Sequence, residues 1–203
     1  MSEHTPTRSV VLELRDEQRA MRQGHEFLDE KCLLLAGEIV RELAQYGQLE
    51  RAVVEACDAA TRALAAAIAR HGLEGLQVYP PGDPGSATAT RRQRSLMGVR
   101  LVESSLACNP SVAEAAVEPS PEAERLRIAC GRVVECSAAL AAVGGNLERL
   151  SLEYQRSLRR ARAIADVILP EMERVTRDLE TRIEELEQED ATFMSRAAQR
   201  GRA

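Results

Sequence analysis

The side chains that do chemistry are present in this sequence, but they are not gathered. Histidines stand at His4, His25 and His71, and cysteines at Cys32, Cys57, Cys108, Cys130 and Cys136. A structural metal site draws on CxxC pairs or on clustered histidines. Neither pattern occurs, so no metal ligand and no cofactor is expected. An odd number of cysteines without CxxC reads as reduced, small, semi-buried residues of a cytoplasmic protein. His25 falls on an apolar helical stripe and reads as a tolerated polar residue of a packed helix, not as a ligand or acid–base group. The acidic run "EELEQED" at 184–190 has the carboxylates of a cation site but reads as a solvated helix face. There is no Walker A sequence, no GxGxxG after a strand, no HExxH and no GxSxG. No catalytic residue is expected.

The arginines are the remaining candidates. Nearly all the positive charge is arginine, and Lys31 is the only lysine. Two clusters stand out: "TRRQR" with Arg91, Arg92 and Arg94, and "YQRSLRRAR" with Arg156, Arg159, Arg160 and Arg162. A guanidinium pairs bidentately with a carboxylate where an ammonium cannot. These arginines fit either solvated charges or a face turned toward an acidic partner. The net charge of −5 argues against nucleic acid as the main partner. "MSEHTPTRSV" lacks the apolar run of a signal peptide. No stretch reaches the roughly 18–20 apolar residues of a membrane span, so any relation to a membrane runs through other proteins.

The elements that must carry these residues are helices. Aromatics are 2%, tryptophan is absent, and charged residues reach 29% against 44% apolar. That mixture belongs to long helices and coiled coils rather than to an ordinary core. Over 7–71, steps of four and three link Leu14, Gln18, Met21, His25, Leu28, Cys32, Leu35, Ile39, Glu42, Tyr46, Leu49, Val53, Ala56, Ala60 and Ala63. This is a heptad seam seeking a partner helix. Gln18, His25 and Glu42 interrupt it, and polar seam residues fix register. Pro6 suits a helix start and "HGLEG" at 71–75 a stop. Such a helix would be about 90–100 Å long. The stretch 73–119 is rich in breakers. In it, "LQVY" at 76–79 and "SLMGVRLVES" read as the arms of a short β-hairpin. "NPSVAEAAVEPSP" reads as an exposed loop.

A third stretch, 120–203, opens with Ser120 as N-cap and Pro121 in the first turn. Breaks are expected at "GGN", 144–146, and near Pro170. Beyond them runs a narrow stripe: Ile168, Met172, Val175, Leu179, Ile183 and Leu186. Pairs at i,i+4 such as Glu173–Arg177, Arg174–Asp178 and Asp178–Arg182 flank it. One strip cannot hold a free helix, and the comparable strip is the N-terminal one. The expected fold is therefore all-α: a long antiparallel two-helix coiled-coil hairpin with a loop and β-hairpin region mid-chain. Its segments are 1–72, 73–119 and 120–203.

Three separated motifs resemble the D subunit of V-type and A-type rotary ATPases. The opening "PTRSVVLELRDEQRAMRQGHEFLDEKCLLL" places Thr7, Arg8, Leu12, Gly24, Leu28, Lys31 and Leu35 on that family's frame. "LMGVRLVE" at 96–103 is similar to its Met-Gly-Val segment. "RRARAIADVILPEMERVTRDLETRIEELEQED" at 159–190 is similar to its Arg-Arg…Ile-Pro segment and the acidic helix that follows. Arg162 and Ala165 depart from the family, as does the tail "MSRAAQRGRA", which leaves contacts with the catalytic subunits open.

The resemblance implies a rotor axle coupling ATP turnover to proton or sodium movement. It implies a non-catalytic subunit on the cytoplasmic side of the membrane, peripheral to it. Both termini would meet the hexamer of A and B subunits, through residues including Arg8, Arg15, Arg196 and Arg200. The mid-chain end, with Arg91 and Arg92, would face the connecting subunit of the membrane rotor, and a small F subunit would bind alongside. Arg159 and Arg160 complete the candidate contacts. A coiled-coil stalk of a flagellar or type III export ATPase shares the two-helix design but lacks the Met-Gly-Val segment. A free coiled-coil scaffold would instead self-associate through the seam.

Overall fold

The computed structural model describes residues 7–77, 87–108 and 119–200. His4, Pro6, Val78, Tyr79 and most of the expected loop at 109–119 lie outside the described residues. The elements are α1 (Arg8–Gln77), β1 (Ala87–Leu96), β2 (Val99–Cys108), α2 (Pro121–Ala163), a five-residue π-helix (Ile164–Ile168) and α3 (Leu169–Arg200). The protein is thus all-α, with two long helical stretches and a two-stranded antiparallel hairpin between them.

Thr7 starts α1: its Oγ1 accepts from the Val10 N–H at 3.5 Å, satisfying a donor with no helical partner. The heptad seam is the buried side of α1. Cys32, Leu35, Glu42 and Ala56 are buried, and Met21 is the one seam residue left exposed. The expected stop at 71–75 is a kink. Gly72 has φ 68° and ψ 168°, a left-handed φ that glycine adopts without penalty, and one further turn follows to Gln77.

The hairpin differs from expectation. Both arms lie within 87–108, and the supposed arm at 76–79 is helical at Leu76 and Gln77. "SLMGVRLVES" is not one arm but contains the turn. Met97 (φ 47°) and Gly98 (φ 84°) are both left-handed, as a two-residue turn matching strand twist requires. The register runs from Ala87↔Cys108 to Leu96↔Val99. β1 has no strand signature because all of it except Leu96 is exposed, so it lacks the apolar alternation of a half-buried strand.

The chain divides into two compact units. In the first, residues 7–33 of α1 run antiparallel to α3. Val11, Cys32, Ala161 and Leu179 are its buried apolar residues. In the second, residues 34–77 of α1, the hairpin and residues 119–154 surround a core of Leu35, Val99, Leu101 and Leu150. Ile39, Leu96 and Tyr154 pack against that core.

Ser120 caps α2 as expected, its Oγ accepting from the Ala123 N–H at 3.2 Å, with Pro121 as the first helical residue. The break expected at 144–146 is absent. α2 passes through Gly144, Gly145 and Asn146 without interruption. Glycine weakens a helix by only about 1 kcal/mol, and tertiary contacts at Asn146, which is 2% exposed, hold this turn. Near Pro170 the regular α-helix gives way: α2 ends at Ala163 and α3 begins at Leu169. The chain widens into the π-helix just before it, and the Leu169 N–H bonds to the Ile164 carbonyl. Proline has no N–H and crowds the carbonyl four residues back, so a wider turn lets the helix continue. Among the described residues no helix is long and apolar enough to cross a membrane.

Candidate functional site

In the first unit the charged side chains form a ladder between helices. Arg8 donates through Nε and Nη2 to Glu187 Oε1 at 3.0 and 2.6 Å. Arg15 does the same to Glu180 at 3.1 and 2.8 Å, and Arg22 Nη2 reaches Glu173 at 2.7 Å. The rungs are one heptad apart on each helix, so one register satisfies all three. Exposed pairs of this kind each contribute about 0–1 kcal/mol. Glu173, expected to pair with Arg177 along its own helix, reaches across instead. Between the first two rungs lies an open groove of about 340 Å³ lined by Val11, Leu12, Ile183 and Glu184 together with the ladder residues.

Beneath the ladder, Gln18 Nε2 donates to Thr176 Oγ1 at 2.9 Å, and Thr176 donates on to the Met172 carbonyl at 2.8 Å. Gln18 and Thr176 are buried, so this is the register-setting seam polarity that the sequence implied at Gln18. His25, the second polar seam residue, lies 3.4 Å from Asp29 on its own helix. Burial pushes the Cys32 thiol up, and Asp29 adds to that.

Of the remaining candidate arginines of this unit, Arg159, Arg160 and Arg196 are exposed. Arg159 Nε donates to the Gln155 carbonyl at 3.3 Å. Arg160 and Arg196 lie on open helix surface. Arg200 ends α3, and its side chain lies outside the described part.

The second unit holds a polar cluster that the sequence pattern does not reveal. Glu38 and Glu42, one turn apart on α1, have side chains only 4% and 6% exposed. Arg94 of β1 bonds to both: to Glu38 Oε1, and to Glu42 Oε1 at 3.1 Å. Arg41 adds a 2.8 Å contact to Glu38. The hydrogen bond to Glu38, with the surrounding carboxylates, raises the Arg94 pKa above the ordinary arginine value.

Asn146 of α2 joins the same cluster. Its Oδ1 accepts from the Val102 N–H at 2.8 Å and from Arg149 at 2.7 Å. Its Nδ2 donates to the Val102 carbonyl at 3.0 Å and to Glu42 Oε2 at 3.3 Å. That uses all four hydrogen-bonding capacities of an amide. Further along β2, Glu135 Oε1 accepts from the Cys108 N–H at 2.9 Å. This bond, then Arg132, holds the Glu135 carboxyl below the usual range.

By sequence Arg94 belongs in one group with Arg91 and Arg92. The structure separates them: Arg94, its side chain 40% exposed, reaches across to Glu38 and Glu42, while Arg91 and Arg92 lie on the open surface of β1. The usable signals were Glu42 on the apolar seam and a lone asparagine inside a helix. At the far end of this unit, His71 Nε2 lies 2.6 Å from Ser120 Oγ beside the Gly72 kink. All five cysteines are free, and among the described residues no cluster of His, Cys, Asp or Glu could hold a metal.

Charges that pair helix to helix, and strand to helix, define a class by fold: an all-α protein of long paired helices carrying one β-hairpin. Within that class the chain belongs to the family of the ATP synthase D subunit, which matches residues 10–199. It is 22% identical over 192 residues to the V-type ATP synthase D subunit of Thermotoga neapolitana, covering 94% of this chain and 95% of that one. It is 28% identical over 189 residues to the A-type ATP synthase D subunit of Pyrococcus furiosus, covering 91% and 88%. The A-type ATP synthase D subunit of Methanopyrus kandleri is 23% identical over 197 residues, covering 94% and 84%.

Proposed function

We propose that this chain is the central-stalk axle of a V/A-type rotary ATPase. In this reading it is a non-catalytic subunit that couples ATP hydrolysis or synthesis in the A–B hexamer to proton or sodium transport. The observation that carries the reading is the family match over almost the whole chain. The ladder in the first unit is consistent with it, because a shaft must resist twisting while its surface stays charged.

In this reading Arg8, Arg15, Arg196 and Arg200 face the A and B subunits. Arg8 and Arg15 would do so as members of ion pairs already made. The exposed Arg91 and Arg92 serve the connecting subunit of the membrane rotor. Arg159 and Arg160 remain candidate contacts. On α1 of the second unit Val40, Leu43 and Val54 are exposed. They lie at helical spacing on one face, away from the seam. We assign this face to a helix of the small F subunit. The complex would sit on the cytoplasmic side of the membrane, with this chain peripheral to it.

The test is affinity purification of the tagged chain from detergent-solubilised membranes of its own source, with bands identified by mass and ATPase assayed. Two large nucleotide-binding subunits, a small subunit and ATPase activity support the axle. Export-apparatus proteins, or the bait alone as an oligomer, would replace it with the export stalk or the scaffold.

A further inference from the structure

We infer that the β-hairpin is a brace that locks α1 against α2 in axial register, with Asn146 as its pin and Glu42 and Arg94 as positioning residues. The inference rests on the axle reading for its functional consequence: without the lock, torque entering one helix would be lost as sliding.

The geometry supports this in three ways. First, the hairpin meets α2 edge-on. Val102 and Cys108 share parity on β2, so their free backbone groups point away from β1. Those groups are taken by side chains of α2, Asn146 at one place and Glu135 at another. The two anchors are eleven residues apart, about 16 Å along a helix. Two-point attachment fixes the direction of the strand as well as its position.

Second, three elements meet at Asn146. The same amide that holds Val102 also reaches Glu42 on α1, and Arg94 from β1 reaches Glu42 and Glu38. A shift of α1 along α2 by one residue, about 1.5 Å, would break these bonds together and leave buried polar groups unpaired.

Third, the apolar seam beyond the cluster cannot do this alone. Ala56, Ala60, Ala63 and Ala67 offer small knobs that specify register weakly, and Ala56 and Ala67 are the buried ones among them. Polar groups must supply what the alanines lack.

The structure also offers a way to replace the pin. A Cβ at Gly131 would lie 3.5 Å from Cys108 Cβ. That is at the short end of the roughly 3.5–4.5 Å window for a disulfide. Gly131→Cys should therefore tie β2 to α2 covalently.

The experiment uses the intact ATPase in membrane vesicles, reading proton or sodium uptake per ATP hydrolysed. With Asn146→Ala, the complex should assemble and hydrolyse ATP, while uptake per ATP falls several-fold. Adding Gly131→Cys to that variant should restore the ratio under oxidation and lose it again with reductant. An unchanged ratio in assembled Asn146→Ala complex overturns the brace, as does a formed cross-link that restores nothing. If Asn146→Ala fails to fold, Arg94→Lys, which keeps the charge but loses the two-carboxylate reach, takes its place. Amide exchange on the purified chain separates the two readings. Val102 should be protected in the wild type and exposed in Asn146→Ala. Equal exposure in both ends the brace, whereas protection in a chain that never co-purifies with an ATPase ends the axle alone.

Discussion

Asn146 shows how a single side chain can outweigh its local sequence. Two glycines precede it, and each weakens the helix, yet the helix continues because the amide is fully satisfied in a buried place. Asn146→Ala should lower the stability of the chain by about 1–3 kcal/mol in urea unfolding, since it removes a buried amide and orphans the half-buried Val102 backbone groups. Glu135 gives a pH test at the same scale. Its folded pKa lies below the unfolded value, so its contribution is complete above the unfolded carboxylate range. That contribution is lost as pH falls through the folded value. Melting temperature should drop on acidification below about pH 4.5, and Glu135→Gln should remove part of that drop. Cysteine labelling is a third test. Cys32 is buried with a raised pKa, while Cys57 and Cys130 are exposed. Thiol reagents at mildly alkaline pH should modify Cys57 and Cys130 well before Cys32.

At the scale of elements, the π-helix and the Gly72 kink are the two places where regular helix gives way. Both have identifiable causes, a proline two residues beyond the π-helix and a glycine at positive φ. The stretch of α3 beyond Pro170 carries the acidic side of the ladder and the buried Thr176. Leu179 is 5% exposed at its centre. Leu179→Pro would remove a backbone bond and a core side chain together, costing about 3 kcal/mol or more. Loss of helical circular dichroism should accompany loss of coupled transport, and tight coupling in that variant would refute the axle. Gln18→Leu should be milder, because Thr176 keeps its bond to Met172. The expected cost is about 1 kcal/mol, with register rather than folding at risk.

At the scale of the molecule, the question is what covers the exposed apolar side chains. Val40 is 67% exposed and Leu43 58%, on a helix whose opposite side is already buried. Val40→Asp should reduce recovery of the small subunit in affinity purification without moving the melting temperature of the isolated chain. An unchanged recovery would overturn the assignment of this face to the small F subunit. Reversing a ladder pair has the opposite signature. Arg15→Glu sets one carboxylate against that of Glu180 and should lower stability modestly at low salt, with the loss shrinking as salt screens it.

Much of this protein can be read without coordinates because helices repeat. The four-and-three spacing from Leu14 to Ala63 marked the buried side of α1, Ser120-Pro121 marked the start of α2, and Gln18 was legible as a polar seam residue. Each is a local pattern whose physics acts over one or two turns. The hairpin register, the reach of Arg94 to Glu38 and Glu42, and the Asn146 cluster were not legible. Their partners lie dozens of residues away, at Glu42 and Val102, and nothing in the neighbouring sequence distinguishes Arg94 from Arg91 and Arg92. The glycines at 144–145 misled for the same reason. A local propensity of about 1 kcal/mol per glycine predicts a break, and contacts between distant segments are enough to overrule it.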